Sequence, residues 1–455
     1  MEEVNVREMY VQEDMTHMLH GATVPSTFAK AANKIFAQGH GVRLVDIDGK
    51  EYIDAMSSGF CACLGYGNKE ISETARSQMN KLHCCMSFLN RASLPEIDLA
   101  SKLSGIAPPG IERFVFTNSG SDANETAIKI VRWYWREKGQ DKYKILSVQN
   151  SYHGATYGAV SASTFPGLTR HKNFEPFLPG FKTIASPYCY HCPFEKSYPG
   201  CDIDCALDLE EAIKREGKDT VGAFLAEPVG SSPGTLVPVK EYWSKVMEIC
   251  RKYQILLIID EYITGFGRMG KFFASEYWDI RPDIVMFAKG LAGGYMPIAS
   301  LGITGEVYKG MTKKDAPFPH VFTYGGHPVS CAVALKTVDI LQREGLVEKA
   351  KETGFYIKER LNRIQEESPY VGDVRGFGHF FCIELVADKG TKKPFDPQKM
   401  VSAAVRDRVL EKGVMVGILG PNNANVMLAP PLIITRDDLD HVLDGLEWGI
   451  KNLKP

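Results

Sequence analysis

The sequence predicts an α/β fold in which helices cover both faces of a mostly parallel sheet, followed by a smaller α/β domain. Short apolar runs alternate with helical patterns from residue 71 to about residue 321. One run, residues 255–259, consists of five aliphatic side chains, which is typical of a strand buried on both faces. After residue 330 the pattern changes to long helices and short strands, which indicates the second domain.

The individual elements follow from local patterns. Within the first 70 residues, a helix is expected at residues 11–19, and alternation around Asp48-Gly49 predicts a β-hairpin at residues 43–54. A large domain is expected at residues 71–325, with strands at 114–116, 145–148, 223–226, 255–259 and 284–288 and a helix from about Asn124. The remainder, residues 326–455, should contain helices at 330–343, 346–366 and 400–412, and strands near Val374 and at 380–385 and 426–428.

The composition argues against several kinds of partner. The chain of 455 residues carries 53 Lys and Arg against 55 Asp and Glu, a net charge of −2. This balance does not favour nucleic acid or an anionic membrane surface as a partner. No run approaches the roughly 18 apolar residues of a membrane span, and the N-terminus lacks the apolar region of a signal peptide. A cytoplasmic protein is therefore expected.

Charged side chains follow two of the predicted strands. Asp260 and Glu261 come directly after the five aliphatic residues, and Lys289 comes after the next strand. Ligands bind at this edge of open α/β sheets, and because side chains alternate, Asp260 and Tyr262 should share one side while Glu261 points away. Asp260 and Lys289 form either a plain salt bridge, or a site where the lysine forms an imine with an aldehyde cofactor whose ring nitrogen the acid keeps protonated.

Other polar residues lie at the ends of strands in the same domain. The small and polar residues 117–123 precede a helix, whose N-terminus can hold an anion, although ordinary capping by Ser121 or Asp122 explains them equally. Tyr152 has a ring that can stack on a flat heteroaromatic group. Glu227 ends another strand, where it either joins a polar network or pairs with a surface lysine.

Several short motifs occur in a fixed order along the chain. They are residues 117–123, Tyr152-His153-Gly154, Ala226-Glu227-Pro228, Asp260-Glu261, Gly265-Phe266-Gly267-Arg268, Ala288-Lys289-Gly290, residues 323–328 and Ala429-Pro430-Pro431. Their order and spacing closely resemble the class III, or omega, aminotransferases, which are pyridoxal-phosphate enzymes of fold type I. The resemblance extends from about residue 20 to the end. It implies a large domain with a mostly parallel, seven-stranded type of sheet, and a small domain built from both chain ends, to which the N-terminal segment contributes.

The resemblance also implies roles for individual residues. Lys289 would carry pyridoxal 5′-phosphate and move a proton, Asp260 would hold the ring nitrogen, and Glu227 would extend the polar network near the catalytic centre. Cofactor binding is implied for Gly120, Ser121, Tyr152, His153, Asp260, Tyr262, Lys289 and, towards a neighbouring subunit's cofactor, Thr323.

Two positions depart from the family pattern. Tyr262 stands where relatives usually carry a branched aliphatic residue, and Gly417 stands where many carry a carboxylate-binding arginine. Asn422, Asn423, Asn425 or an arginine from elsewhere would have to replace that clamp. Phe60 stands where relatives often place an aromatic residue that lines the substrate site. Phe60 and Phe88 either line this pocket or pack in the core, as lone phenylalanines more often do.

The function implied is transfer of an amino group from an omega-amino acid or amine, such as taurine or β-alanine, to a 2-oxo acid such as pyruvate. The mechanism would be ping-pong, in a homodimer or homotetramer. A racemase or epimerase, an aminomutase or a decarboxylase of the same fold would need the same Lys289 and Asp260. An alternative of another class is a pyridoxal-phosphate-binding scaffold without catalysis, against which the retention of Lys289, Asp260, Glu227 and Tyr152 argues.

A cysteine-rich segment allows two interpretations. The segment holds Cys189, His191, Cys192, Cys201 and Cys205, and the spacings Cys189-x2-Cys192 and Cys201-x3-Cys205 would supply four zinc ligands. Related aminotransferases carry a similar segment without a metal role in the family. We therefore favour a structured loop whose thiols pack or react, and predict no metal site.

Overall fold

The structure, a computed structural model, describes residues 6–24, 34–166, 168–169, 171–313 and 316–454. The helices are α1 (Val6–His17), α2 (Lys69–Lys81), α3 (Leu94–Ser104), α4 (Gly120–Glu137), α5 (Tyr157–Ala162), α6 (Asp204–Glu216), α7 (Tyr242–Tyr253), α8 (Gly305–Met311), α9 (Pro328–Arg343), α10 (Leu346–Glu367), α11 (Val401–Glu411) and α12 (Arg436–Lys451). The strands are β1 (Phe36–His40), β2 (Arg43–Asp46), β3 (Glu51–Asp54), β4 (Ile111–Thr117), β5 (Lys144–Val148), β6 (Phe181–Ile184), β7 (Val221–Ala226), β8 (Leu256–Asp260), β9 (Ile284–Phe287), β10 (Ala299–Thr304), β11 (Val371–Phe377), β12 (Phe380–Asp388), β13 (Lys393–Pro394), β14 (Val414–Met415), β15 (Gly417–Leu419) and β16 (Asn425–Leu428).

A seven-stranded sheet in the order β4-β10-β9-β8-β7-β5-β6 forms the centre of the large domain. The strands from β9 to β6 pair in parallel, and β10 is antiparallel to both of its neighbours. The prediction of an α/β fold with a mostly parallel sheet is therefore confirmed.

Both faces of this sheet are buried, as the continuous apolar runs predict. Every residue of β7, β8 and β9 is buried. Within β8, Leu257 and Ile259 belong to the core on the α7 side, whereas Leu256 and Ile258 belong to the core on the α4 side. Each buried aliphatic side chain contributes about 1.5–3 kcal/mol, so the sheet is a rigid support for the residues that follow its strands.

Two smaller sheets use chain segments that are far apart in sequence. The predicted hairpin forms, with β2 antiparallel to β3, and β14 completes this sheet as a parallel neighbour of β3 in the order β1-β2-β3-β14. A five-stranded sheet combines β11, β12, β16 and β15, with β13 paired to β12. The predicted boundaries at residues 70 and 325 stay a prediction.

Several element boundaries differ by one to three residues from those predicted, and the starts of two helices differ by four or five. The first helix covers Val6–His17 instead of residues 11–19, and none of its residues is buried, so no apolar periodicity marks its ends. Helix α4 begins at Gly120, four residues before Asn124, because Ser119 caps it. Within the described ranges, no helix has both the length and the apolar character that crossing a bilayer requires.

Candidate active site

A cavity of about 690 Å³ lies where β8 and β9 end and α4 begins. Most of the residues predicted to bind a cofactor line it. They are Gly120, Ser121, Tyr152, His153, Tyr262 and Lys289. The structure thus brings together side chains that are up to 169 residues apart (289 − 120).

One end of the cavity is formed by the N-terminus of α4, a helix of 18 residues. Ser119 caps the helix by accepting a hydrogen bond from the Asp122 N–H at 3.2 Å. The first N–H groups of a helix have no partner within it, and the helix dipole places partial positive charge there. A Cβ at Gly120 would lie 2.9 Å from the Tyr262 ring, so only glycine leaves the backbone open at this point. The arrangement suits a phosphate group.

The Asp260 carboxylate is held by His153. The two side chains are 2% and 0% exposed, and His153 Nδ1 lies 2.8 Å from Asp260 Oδ2. Because a carboxylate accepts hydrogen bonds, Nδ1 is assigned as the donor. The Tyr262 N–H donates to Oδ1 at 2.9 Å. The bonds from His153 and the Tyr262 N–H fix the carboxylate in the interior, where a cation is its natural partner.

Glu227 adds a second acid to this network. Its Oε2 accepts hydrogen bonds from the Ser231 hydroxyl and, at 3.2 Å, from the Ser231 N–H. Its Oε1 is buried and has no hydrogen-bond partner among the described residues. Burial, followed by the negative charge of Asp260, raises the pKa of Glu227 to about 7. Glu227 is therefore linked to Asp260 through charge and hydrogen-bonded to Ser231, and no lysine forms an ion pair with it in the described chain.

Lys289 follows β9 after one residue, Ala288, at the first position of a short 3-10 helix, Lys289–Ala292. Its φ of +45° is left-handed, a conformation that costs a non-glycine residue about 1–2 kcal/mol. Its Nζ lies in the cavity, 5.6 Å from the centre of the Tyr262 ring. Asp260 bonds to His153 instead of Lys289, so the plain salt bridge considered from the sequence is not formed.

Tyr152 and Tyr262 are two of the tyrosines that line the cavity, and both stay neutral. Burial raises the pKa of Tyr152, and burial together with the charge of Asp260 raises that of Tyr262 well above its usual range. The Tyr262 hydroxyl donates to the Gly120 carbonyl at 2.5 Å. Both rings are available to stack on a flat ligand.

Glu261 points away from the cavity, as the alternation along the strand predicts. Its carboxylate accepts hydrogen bonds from the N–H groups of Ala274 at 3.2 Å and Ser275 at 2.8 Å, and from the Thr264 hydroxyl. Burial raises the pKa of Glu261 to about 7. Glu261 therefore anchors the following segment and does not face the cavity.

The three residues predicted to contact substrate do not line the cavity. The Phe60 ring packs edge-to-face against Phe380 at 5.4 Å, because a left-handed turn directs it into the core. Phe88 is half-buried outside the cavity lining. Gly417 lies within β15, and a Cβ there would overlap the Met56 thioether, which fills the space beside it.

None of the asparagines considered as substitutes for the arginine clamp lines the cavity either. Asn422 and Asn423 lie in a short 3-10 helix, Pro421–Asn423, none of whose residues is buried. Asn425 is buried, and its amide donates to the Pro233 carbonyl at 3.3 Å.

Thr323 lies on an exposed loop beside the start of α4. The Asn118 amide donates to the carbonyl of the adjacent Tyr324 at 3.1 Å, and Asn118 itself lines the cavity. Thr323 does not line the cavity of its own chain. Its predicted contact with a neighbouring subunit's cofactor stays a prediction.

The sequence analysis missed one wall of the cavity, which is formed by Ser58, Cys61 and Tyr66. The wall includes a turn, Ser57–Phe60, in which all four residues have positive φ, from +46° to +73°. We call it the left-handed turn. No sequence pattern marks such a turn, although an aspartate at the end of the predicted hairpin, Asp54, was a signal that a buried charge needs partners there.

Arg268 of the Gly-Phe-Gly-Arg motif supports the left-handed turn from behind. Its guanidinium is 2% exposed and donates to the Pro430 carbonyl at 2.5 Å and to the Ser57 hydroxyl at 3.3 Å. The Ser57 hydroxyl in turn donates to the Ala429 carbonyl at 2.6 Å. Burial lowers the pKa of Arg268 to about 10, so it remains charged at neutral pH.

The cysteine-rich segment holds free thiols at Cys189, Cys192, Cys201 and Cys205. Its His191 pairs with Glu384 at 3.2 Å. Across the described ranges, no three His, Cys, Asp or Glu side chains are placed to hold a metal ion together.

Comparison with known proteins identifies close likenesses along the whole chain. A family model described as aminotransferase class-III matches residues 27–450. A taurine–pyruvate aminotransferase of Bilophila wadsworthia is 36% identical over 444 residues, 95% of each chain. A putrescine–pyruvate aminotransferase of Pseudomonas aeruginosa is 36% identical over 412 residues, which cover 90% of this chain and 89% of the other. A thermostable (S)-enantioselective omega-transaminase from Thermomicrobium roseum has a similar structure, with a TM-score of 0.91, 38% identity and 99% coverage of both chains.

Proposed function

This chain belongs to the class III aminotransferases, and from that premise we propose that it moves an amino group from an omega-amino acid or an amine to a 2-oxo acid. Taurine and β-alanine are candidate donors, and pyruvate is the candidate acceptor. One observation carries the proposal. Lys289, the Asp260–His153 pair and the N-terminus of α4 lie around one cavity.

Class III aminotransferases depend on pyridoxal 5′-phosphate, and the cavity fits this cofactor. The open backbone at Gly120, with Ser121 beside it, suits the phosphate, and Asp260 suits a protonated ring nitrogen. Tyr152 and Tyr262 offer rings for the two faces of the cofactor. When bound, the cofactor withdraws electrons from the substrate carbon that carries the nitrogen.

Asp260 would place its negatively charged carboxylate beside the ring nitrogen of the cofactor. His153 Nδ1 and the Tyr262 N–H donate to its two oxygens, so the carboxylate is oriented before the cofactor binds. Glu227 lies within electrostatic reach of Asp260, because the negative charge of Asp260 contributes to the raised pKa of Glu227.

Lys289 has two tasks in turn. With pyridoxal 5′-phosphate bound, the Lys289 amine would hold it covalently in the resting enzyme. In the presence of an amino donor, Lys289 Nζ would act as the general base that accepts a proton from the substrate carbon, and then as the general acid that gives it back. The same lysine would serve the 2-oxo acid in the second half of a ping-pong cycle.

We also propose a homodimer or homotetramer, in which Thr323 reaches the cofactor phosphate of a neighbouring subunit. Its exposed position beside the cavity residue Asn118 supports this. Residues 71–325 would form the cofactor-binding domain, and residues 326–455 with the first 70 would form the small domain. The pairing of β3 with β14 supports that division.

The experiment is a panel of amino donors with pyruvate, in which alanine is measured as the product. Taurine, β-alanine and simple primary amines should include donors that give alanine in step with donor loss. The control is the Lys289→Ala variant, which should form no alanine from any donor. If the cofactor-loaded protein forms no alanine from any donor, the assignment of an amine:pyruvate reaction fails.

A further inference from the structure

One wall of the cavity is organised around a buried carboxylate, Asp54, which is 1% exposed. Its Oδ1 accepts a hydrogen bond from the Met56 N–H at 3.0 Å, and its Oδ2 accepts one from the Ser58 N–H at 2.6 Å. The Tyr66 hydroxyl also donates to Oδ2. The Ser58 hydroxyl oxygen lies 2.6 Å from the Tyr66 hydroxyl oxygen. Ser58 and Tyr66 line the cavity, whereas Asp54 lies behind them.

The direction of these hydrogen bonds decides what the wall offers to a ligand. A carboxylate only accepts, so the Tyr66 proton points to Asp54. The Tyr66 oxygen is then free to accept. The Ser58 hydroxyl oxygen lies 2.6 Å from it and 3.4 Å from Asp54 Oδ2, so we assign the Ser58 proton to the shorter contact, with Tyr66. The oxygen lone pairs of Ser58 are left for the cavity. The wall therefore presents hydrogen-bond acceptors, backed by the negative charge of Asp54.

The cavity has no cation for an acidic substrate tail in the part of the chain that the structure describes. Lys289 is the one Lys or Arg side chain in its described lining, and the proposed function commits it to the cofactor. Arg268 donates to the Pro430 carbonyl and the Ser57 hydroxyl behind the left-handed turn. Position 417 has no side chain. A carboxylate or sulfonate tail at the Ser58–Tyr66 wall would thus meet hydrogen-bond acceptors and the negative charge of Asp54.

We propose that Ser58 and Tyr66, oriented by Asp54, form a subsite for the second amino group of a diamine donor. An alkylammonium group carries three N–H donors and a positive charge, which match the acceptors and the carboxylate behind them. The proposal rests on the aminotransferase function above. It narrows the candidate donors from omega-amino acids and amines to diamines. The reacting amino group would lie at the Lys289 end of the cavity, and the distal one would lie at the Ser58–Tyr66 wall.

The test compares donors of equal length in the full, cofactor-loaded enzyme with pyruvate. The donors are α,ω-diamines of three to six carbons, the n-alkylamines with the same number of carbons, and the matching omega-amino acids. For at least one length, kcat/KM for the diamine should exceed that for the alkylamine by about tenfold to a hundredfold, the value of one hydrogen bond to a charged group. The preferred length then measures the distance between Lys289 and the wall.

Two variants link that preference to the wall. Tyr66→Phe breaks the relay to Asp54, and Ser58→Ala removes the oxygen that faces the cavity, so each should reduce the diamine-to-alkylamine ratio about tenfold. Tyr308→Phe and Ser72→Ala remove hydroxyls from exposed positions outside the cavity lining and are the matched controls for that ratio. Equilibrium binding of the diamine to Lys289→Ala, which does not turn over, should weaken by the same factor when Tyr66→Phe is added.

The outcomes are distinguishable. Three results would each show that the subsite is wrong although the enzyme is an aminotransferase. No diamine is preferred over its alkylamine, or the omega-amino acids are better donors than the diamines. Alternatively, Tyr66→Phe and Ser58→Ala both keep the wild-type diamine-to-alkylamine ratio of kcat/KM. If no amine of any kind yields alanine, the proposed function fails instead. Circular dichroism and thermal unfolding show whether each variant is folded, and the second variant carries the test if the first is not.

Discussion

Replacing Glu227 by glutamine should remove a pH dependence of stability that the active site imposes on the cofactor-free protein. Burial, and then the charge of Asp260, raises the pKa of Glu227 from 4.5 to about 7. The unfolded chain therefore releases this proton at a lower pH than the folded protein does. The folded state loses stability as the pH rises above 4.5, and the loss is complete above about pH 7.

The size of the effect follows from the same two values. A tenfold change in acidity corresponds to about 1.4 kcal/mol, so the rise from 4.5 to about 7 costs about 3 kcal/mol of unfolding free energy at pH 8. Glutamine has the same shape, and its oxygen can still accept from the Ser231 N–H, which lies 3.2 Å from Oε2. Its amide nitrogen replaces Oε1, a buried acceptor without a partner in the described chain.

The assay is denaturant unfolding of the cofactor-free protein at pH 5, 6.5 and 8. Wild type should lose about 2–3 kcal/mol more than Glu227→Gln across this range, because part of the loss has already occurred at pH 5. Glu411→Gln, at an exposed position on α11, should follow the wild-type curve. Parallel pH curves for wild type and Glu227→Gln would show that Glu227 is ionised in the folded state throughout, and the reasoning from burial would be refuted.

Four further changes probe the site. Lys289→Ala should abolish the yellow colour of the loaded protein, its borohydride-fixed cofactor label and its turnover; full turnover without added amine would contradict the role of this lysine. Asp260→Asn should slow the half-reaction by about 30-fold to 1000-fold, because a charge-assisted bond in a buried site contributes about 2–4 kcal/mol; near-normal single-turnover loss of visible absorption would argue against it. Gly417→Arg in a Met56→Ala background, which makes room for the side chain, should raise the omega-amino-acid-to-amine ratio of kcat/KM, and an unchanged ratio would remove position 417 from the substrate path. Tyr262→Val should weaken cofactor binding by about 0.5–1.5 kcal/mol and admit bulkier donors, and no change in either would mean that this ring does not face the cofactor.

Much of the fold and one half of the site could be predicted because local patterns carry them. Parallel strands buried on both faces leave continuous aliphatic runs, so β8 and β9 were found together with the residues that end them, Asp260 and Lys289. The start of α4 was missed because small polar residues favour loops and helix caps equally. The structure resolves the choice through Ser119, whose hydroxyl accepts the Asp122 N–H.

The other half of the site depends on contacts that no local pattern encodes. His153 bonds to Asp260 across 107 residues, and its role as a support for the carboxylate needs the folded sheet. The left-handed turn uses ordinary residues at positive φ, which the surrounding structure imposes. From the sequence, an aromatic pocket wall was expected at Phe60. The turn instead buries the Phe60 ring and leaves Ser58 in the cavity, so the wall there is polar.

The pairing of β3 with β14 has a consequence for synthesis of the protein. The Ile53 N–H donates to the Gly413 carbonyl at 2.8 Å, and the Ala55 N–H donates to the Met415 carbonyl at 2.9 Å. Some 360 residues separate these partners (413 − 53). Pairing across such a separation is slow. It must also wait until the last tenth of the chain has left the ribosome. A nascent chain that stalls before residue 413 would expose one edge of β3 and lack the Pro430 anchor of Arg268. Such a chain could already contain the whole large domain, and it would be a substrate for chaperones until the C-terminus emerged.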